Sequence, residues 1–400
     1  MLSKRFGKTI MTKKVLYIGG FELPDKNAAA HRVLNNAKAL RELGYESIFV
    51  GFDKELNVGC QKKIFNNFLS YNFSYPSTTV NWLKYIIKFD FYKDLITLHD
   101  IDIVIVYNLP AFSIRRLQKY CNKRGLKIYA DCTEWYNISN EISIKNLIKK
   151  IDVNLRMKVF HKKLDGVISI SEYLNNFYKK NNIKSVKIPP LVDINDQLWN
   201  LKESVNSASK IKFVYVGSPF SIGKENYVKD RLDVIVNALY KNFNLNKKFV
   251  LNIVGVTRVD FLKVYPDLEK KVYEMENFII FNGRLSHKDS ISILKESDFS
   301  IFFRDLNLAN QAGFPTKFVE SVSAATAVIT NNSSNISDYL INSKNGFILE
   351  EISSQSVEQI IDLVFDLSKG DLEYIKEYTY KNRNFFHYQK FKDRFSKLIH

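Results

Sequence analysis

The sequence predicts an α/β protein made of two doubly wound parallel-sheet domains. Three observations lead there. Short apolar strands closed by glycine alternate with helices of amphipathic period, the alternation breaks once around Pro189 and Pro190 and then restarts, and 400 residues exceed what one hydrophobic core serves.

The first half opens with K-V-L-Y-I-G, Lys14 to Gly19, a strand bounded by glycine. A polar loop follows, and Val33, Ala37, Leu40 and Leu43 then recur at helical spacing through Ala28 to Leu43. Gly44 stops that helix, and Ser47 to Gly51 is the next strand, completing a right-handed parallel unit. Further buried strands are expected at Ile103 to Tyr107, Lys127 to Asp131 and Gly166 to Ile170. This first domain is expected over 13–195, with a polar, irregular linker after it. The second, expected over 210–375, repeats the grammar. Its strands fall at Lys212 to Gly217, Phe249 to Gly255, Phe278 to Asn282, Phe299 to Phe303 and Ala327 to Thr330, with a helix at Arg231 to Leu239. The aromatic-rich helical tail, 376–400, needs an apolar surface to cover, and the first domain is the candidate. Two such domains facing each other would take a ligand at the carboxyl ends of their strands, in the cleft between them.

Composition narrows the function. The net charge of +17 suits a polyanionic partner, or else reflects a lysine-rich composition without functional meaning. No helix-turn-helix, RNP or zinc-finger signature accompanies the charge, so nucleic acid is not expected and an anionic membrane surface ranks above it. No run of eighteen uncharged apolar residues exists, and the basic start lacks an apolar signal core, so a cytoplasmic protein is expected. Cys60, Cys121 and Cys132 are scattered without ligand spacing, which argues for reduced thiols and against a zinc site.

The segment N-Q-A-G-F-P-T-K-F-V-E, Asn310 to Glu320, carries the chemistry. It reads as a Gly-Pro loop entering a short helix between two strands. Backbone N–H groups at such a helix start attract an anion, Lys317 can reach a phosphate, and Glu320 can accept hydrogen bonds from a diol. A sugar nucleotide combines these groups. Upstream, V-G-S-P at Val216 to Pro219 ends a strand: Gly217 allows close backbone approach, and Lys229 is expected at the start of the next helix, where it and the helix N-terminus attract a diphosphate. Lys224 is a second candidate in the same loop.

With these motifs the chain resembles the retaining family 4 (group 1) glycosyltransferases of the GT-B fold, over nearly its whole length. The resemblance rests on Gly19 and Gly20, on I-S-I-S-E-Y-L (Ile168 to Leu174), on I-P-P-L-V-D (Ile188 to Asp193) and on G-S-P with its downstream K-D. It rests further on G-F-P-T-K-F-V-E-S (Gly313 to Ser321) and N-G-F-I-L (Asn345 to Leu349). The resemblance implies a transferase of hexosyl type that uses a nucleotide-diphosphate sugar and needs no cofactor or metal. It implies a donor site made of Gly19, Gly20, Gly217, Ser218, Lys229, Arg304, Gly313, Phe314, Lys317 and Glu320, with Lys229 on the diphosphate, Glu320 on the ribose and Gly313 and Phe314 meeting the sugar through their backbone. Retention in that family is ascribed to front-face attack in which the leaving diphosphate takes the acceptor proton. One departure matters: the first carboxylate of the family's Glu–seven residues–Glu pattern falls on Ala312, which cannot hydrogen-bond a sugar hydroxyl.

On the acceptor side, D-C-T-E-W-Y (Asp131 to Tyr136) follows a strand where many family members place a histidine. Asp131 or Glu134 could orient or deprotonate the acceptor hydroxyl, and Trp135 and Tyr136 could stack on a sugar; equally, Asp131 could cap a helix and Trp135 be core. His31 could touch the acceptor or be structural. Ile142 to Lys163 interleaves basic and apolar residues at helical spacing, which suits an anionic inner-membrane surface and a lipid-linked saccharide acceptor, as in capsule, O-antigen or exopolysaccharide assembly, or a plain solvent-facing helix. The competing functions are a sugar-nucleotide epimerase of the same shape and a non-catalytic nucleotide-sugar-binding protein.

Overall fold

The structure is a computed structural model and describes residues 12–78, 80–82, 85, 89–135, 144–201, 210–221 and 224–400. The chain forms two compact units: one comprises the residues up to Ile170, Leu174–Ile188 and Tyr388–His400, the other Ser171–Tyr173 and Pro189–His387.

The first unit is an eight-stranded sheet. Its strands are β1 (Lys13–Gly19), β2 (Tyr45–Asp53), β3 (Cys60–Phe65), β4 (Phe68–Ser74), β5 (Ile103–Tyr107), β6 (Lys127–Cys132), β7 (Gly166–Ser169) and β8 (Ser185–Lys187). Their spatial order is β3-β4-β2-β1-β5-β6-β7-β8, parallel throughout except for β3, which runs antiparallel to β4. The order reverses between β1 and β5, the place where open α/β sheets bind ligand. β5 (I-V-I-V-Y) is buried at every position because neighbours flank it on both edges and helices cover both faces. The helices are α1 (Ala28–Arg41), α2 (Asp90–Leu98), α3 (Ala111–Arg124), α4 (Ile144–Leu155) and α5 (Glu172–Lys179). Asn27 caps α1 through its side chain, which accepts from the Ala30 N–H at 2.9 Å.

The β3–β4 hairpin is absent from the sequence reading. Its turn residues Asn66 and Asn67 both have positive φ, +50° and +61°, the geometry of a two-residue hairpin turn that asparagine tolerates. The tail, Tyr388–His400, packs in this unit: the Arg394 guanidinium donates to the Lys187 carbonyl at 2.8 Å and Gln389 to Glu42 at 3.2 Å.

The second unit holds a six-stranded parallel sheet of β9 (Ile211–Val216), β12 (Phe249–Val254), β13 (Ile279–Gly283), β14 (Phe299–Ile301), β15 (Ala327–Asn331) and β16 (Gly346–Leu349). Its order is β13-β12-β9-β14-β15-β16, which reverses between β9 and β14. A separate antiparallel ribbon pairs β10 (Phe220–Ser221) with β11 (Lys224–Val228). Helices α6 (Leu232–Asn244), α7 (Arg258–Val264), α8 (Glu269–Glu274), α9 (His287–Lys295), α10 (Leu308–Ala312), α11 (Thr316–Ser323), α12 (Ser354–Phe365) and α13 (Lys369–Asn382) accompany it, and α14 (Lys392–Ile399) belongs to the first unit. Gly217 and Gly255, which follow β9 and β12, have φ of +144° and +104°. A Cβ on Gly255 would stand 2.2 Å from the Gly217 carbonyl oxygen, so the two strand ends approach more closely than a side chain permits.

The described helices include none long and apolar enough to cross a membrane.

Candidate active site

In the second unit, the switch point between β9 and β14 gathers a charged cluster. Asp230, in the loop from β11 to α6, is 1% exposed. Three groups close on it: the Tyr215 hydroxyl from β9 at 2.7 Å, Arg304 Nε from just beyond β14 at 2.8 Å, and Lys317 Nζ from the first turn of α11 at 2.5 Å. Arg304 is held in turn by Asn331, whose side chain accepts the Arg304 N–H at 2.8 Å and donates to its carbonyl at 2.9 Å.

Burial opposes the charge on Asp230, yet the Lys317 and Arg304 cations hold its carboxyl below the ordinary carboxylate range. Burial also pushes the Lys317 ammonium down to about 8; Asp230 pulls it up, while Arg304 and Lys229 push it further down. The Lys317 ammonium lies 4.2 Å from the centroid of the Tyr215 ring and 3.0 Å from its hydroxyl. It stands 3.1 Å from where a Cβ on Gly217 would be, so glycine there leaves the cation room at the end of β9.

α11 forms because Phe318, Val319 and Val322 bury one face, which leaves Lys317 and Glu320 three residues apart on the other side. Glu320 Oε1 lies 3.1 Å from His287 Nε2 at the start of α9, with both side chains partly exposed. The structure thus brings Gly217, Arg304 and Lys317 together. Asp230 and His287 are the members that sequence reasoning missed. Asp230 had one signal, the K-D pair after a strand; His287 lies 33 positions from Glu320 and had none.

One donor-side expectation needs correction. Lys229 does not start a helix: K-E-N-Y-V pairs as β11, and Asp230 and Arg231 separate Lys229 from α6, whose first residue is Leu232. The Lys229 side chain is exposed and its N–H donates to the Pro219 carbonyl at 2.6 Å. Lys317, expected to reach for a phosphate, also pairs with Asp230. The Gly313 N–H is committed to Ala309 at 3.0 Å and its carbonyl accepts from Ser334 at 2.6 Å, so this backbone is engaged within the protein. Phe314 is buried against Phe318, Tyr339 and Phe386. Ala312 is fully buried, and its carbonyl accepts from Ser171, which groups with this unit, at 2.6 Å. Ser218 is exposed immediately after Gly217. The side chain of Lys224 and the residue Tyr136 lie outside the described residues.

In the first unit, the expected acid–base residue Asp131 is a correction of a different kind. It is fully buried at the end of β6, and its carboxylate accepts from Arg32, Asn36 and the Tyr17 hydroxyl. A carboxylate closed off in this way holds α1 to the sheet and is not presented to an acceptor. Glu134, by contrast, is exposed three residues further on. Trp135 packs edge-on against Phe177 of α5 with ring centroids 4.9 Å apart. His31 is half-buried in the first turn of α1. Gly19 abuts β5, where a Cβ would meet the Tyr107 carbonyl at 2.5 Å, while Gly20 is exposed beyond it.

A cleft of about 450 Å³ opens at the carboxyl ends of β1, β2 and β4, with Gly19, Phe52, Asn57, Ser74, Asn81 and Tyr85 among its lining residues. Neither His31 nor Trp135 lines it. Its described lining residues carry no charged side chain, in a chain of which 25% is charged.

The described residues contain no group of three or more His, Cys, Asp or Glu side chains placed to hold a metal ion.

Residues 203–382 match the family model for Glycosyl transferases group 1. The matched span includes Asp230, Arg304, Lys317 and Glu320. An uncharacterized glycosyltransferase of Methanocaldococcus jannaschii is 24% identical over 221 residues; the match covers 52% of this chain and 51% of that protein, so the chain spans about half the length of that curated relative. Among solved structures, the chain is similar to the lipopolysaccharide outer core galactosyltransferase WaaB (TM-score 0.62, 15% identity, 96% of this chain and 99% of that one). It is also similar to HepE of Anabaena in complex with UDP (TM-score 0.63, 13% identity, 96% and 98% covered). These likenesses identify the fold as the two-domain GT-B architecture of glycosyltransferases.

Proposed function

We propose that the protein is a retaining glycosyltransferase that moves a hexosyl group from a nucleotide-diphosphate sugar to a saccharide acceptor. The observation that carries this reading is the convergence of Lys317, Arg304 and the Gly217 turn at the switch point of a group 1 domain, with Glu320 one helical turn beyond Lys317. Cations and a glycine turn at the carboxyl ends of parallel strands suit a diphosphate, and a partly exposed carboxylate beside them suits a ribose diol. The UDP complex of HepE, a protein of the same fold, supports a nucleotide donor.

In the reaction, the acceptor oxygen bonds to the anomeric carbon as the bond from that carbon to the phosphate oxygen breaks, and the departing diphosphate takes the acceptor proton. The catalytic load then falls on groups that stabilise the leaving diphosphate, Lys317 and the exposed Lys229. No metal or other cofactor is needed in this scheme. Glu134 is the exposed carboxylate near the end of β6 that could assist the acceptor, and Gly20, Trp135 and His31 remain candidates for contact with it.

The acceptor is proposed to enter the first unit's cleft. Aromatic rings of Phe52 and Tyr85 suit the C–H faces of a sugar, and Asn57, Ser74 and Asn81 suit its hydroxyls. A lipid-linked acceptor at the inner face of the plasma membrane is supported by α4, on which Leu147, Ile148, Ile151 and Leu155 form an exposed apolar stripe next to the exposed Lys149 and Lys150. WaaB is a lipopolysaccharide outer core galactosyltransferase, and a surface-polysaccharide role for this chain is proposed by analogy with it.

The test is turnover. The protein is incubated with UDP-, GDP- and ADP-linked labelled hexoses and a bacterial lipid extract, after a thermal-shift screen against the same donors. Transfer of label with release of the nucleoside diphosphate is expected. Nucleotide-sugar binding without transfer would favour the non-catalytic reading that Ala312 raises, and interconversion of free sugar nucleotides would favour an epimerase.

A further inference from the structure

The loop between β11 and α6 buries a carboxylate at the carboxyl end of a parallel sheet, which is costly unless donors surround it. Asp230 has three, and each comes from a different element: Tyr215, Arg304 and Lys317. We propose that Asp230 is a positioning residue of the donor site, anchoring the Lys317 ammonium beside the Gly217 turn so that a nucleoside diphosphate meets a cation already in place. The inference rests on reading this unit as the donor domain.

The argument begins with geometry. A lysine side chain has four rotatable methylenes, and on an eight-residue helix its ammonium would sample a wide arc of solvent. Here Lys317 Nζ is fixed from two sides, at 2.5 Å from Asp230 Oδ2 and 3.0 Å from the Tyr215 hydroxyl, and its side chain is only 10% exposed. It lies beside Gly217, where a side chain would crowd it. Asp230 also takes Arg304, so the carboxylate cancels one of the two cations it binds and leaves the cluster one net positive charge, with Lys229 close by.

The charges around Lys317 explain why an anion is needed there. It faces Asp230 as its anion, Arg304 and Lys229 as cations, and Tyr215 as a neutral hydroxyl, with Tyr265 near Asp230. Beyond them Arg231 pairs with Asp233 and Asp305. Burial and the two cations all favour loss of the Lys317 proton, and Asp230 is what opposes them. Without that carboxylate, Lys317 would be a buried lysine among cations, holding its proton less firmly.

The experiment uses the full chain with ¹⁵N-labelled lysine, the Lys317 resonance being assigned from a Lys317→Arg variant. In the wild type the Lys317 ammonium is expected to titrate near pH 8, and UDP at saturation is expected to raise that midpoint. Asp230→Asn keeps size and one acceptor oxygen but removes the charge, and is expected to lower the midpoint by about one pH unit or more. Calorimetric UDP affinity should then fall about fivefold or more further between pH 6.5 and 8.5 in Asp230→Asn than in the wild type. The Asp230→Asn/Lys317→Arg double variant, whose guanidinium keeps its proton, should lose that extra pH dependence. Asp230→Glu should keep the wild-type pH profile.

A Lys317 midpoint that Asp230→Asn leaves unchanged overturns the proposal. So does a midpoint that saturating UDP does not raise, a measurement that needs no variant to fold. A shifted midpoint in a protein that binds neither UDP, GDP nor ADP at any pH overturns it through its premise, and locates the failure in the donor reading.

Discussion

Arg32 and Asp131 meet inside the first unit through three hydrogen bonds, Nε to Oδ1 at 2.9 Å, Nε to Oδ2 at 3.1 Å and Nη2 to Oδ1 at 2.6 Å. Their side chains are 3% and 0% exposed, and the remaining Arg32 nitrogen, Nη1, donates to the Ile188 carbonyl at 2.9 Å. Removing one partner strands the other charge in the interior. Asp131→Ala is therefore expected to destabilise the unit by about 3–5 kcal/mol, read from urea unfolding. Wild-type stability with turnover alone abolished would return Asp131 to the catalytic role that its position in D-C-T-E-W-Y suggested.

Glu320→Ala should weaken UDP binding by about 1.5–3 kcal/mol, the range for a charged hydrogen bond. The loss should vanish with 2′,3′-dideoxy-UDP, which lacks the diol. His287→Ala is expected to cost less, because it orients Glu320 from 3.1 Å and does not itself meet the ribose. Calorimetry that finds Glu320→Ala equal to the wild type would remove Glu320 from the site.

Lys229 is exposed but close enough to Lys317 to depress its proton affinity, which places its charge at the same end of the sheet. Lys229→Ala should cost about tenfold or more in UDP affinity and leave uridine binding untouched. An equal loss for both ligands would mean that the substitution disturbs the loop and that Lys229 is not reading phosphate.

The exposed stripe on α4 makes a lipid prediction. Replacing Leu147, Ile148 and Ile151 together by serine should reduce binding to anionic vesicles at least about tenfold, since each aliphatic side chain that enters the interface contributes on the order of 1–2 kcal/mol. Equal binding of the unmodified protein to neutral and anionic vesicles would count against the membrane reading.

His161 supplies a pH prediction independent of the donor site. It is fully buried with Nδ1 2.7 Å from the Tyr178 hydroxyl, and burial, helped by Arg156, pushes its pKa well below 6.5. Below about pH 6.5 the unfolded chain takes up a proton there and the folded chain does not. Stability should therefore fall as pH falls, by up to about 1.4 kcal/mol per pH unit from this group. His161→Gln should lose that component of the acid slope in urea unfolding between pH 5 and 7. Identical slopes would show that some other group controls it.

The alternation of apolar strands with amphipathic helices was legible because both are local periods, and β5 (Ile103–Tyr107) falls where its five apolar residues put it. The β3–β4 hairpin escaped because C-Q-K-K-I-F lies at the sheet edge with much of its surface in water, so no apolar run marks it; the Asn66-Asn67 turn was the readable signal. Around the proposed donor site, G-F-P-T-K-F-V-E identified Lys317 and Glu320 as neighbours on one helix, one turn apart, which is short-range geometry.

Which charges then meet was a matter for the fold. Lys317 and Asp230 are 87 positions apart, Arg304 and Asp230 74, Arg32 and Asp131 99. No pattern in the chain pairs them, because their encounter depends on strand order: β9 lies beside β14, and β1 beside β5. By itself the sequence determined two α/β halves, the strand ends and the residue types able to grip a diphosphate. Tertiary structure alone decided that Asp131 is a buried counterion and that Asp230 holds Lys317. The reason is physical: a carboxylate's role is set by which cations and how much water surround it, and sheet topology determines both.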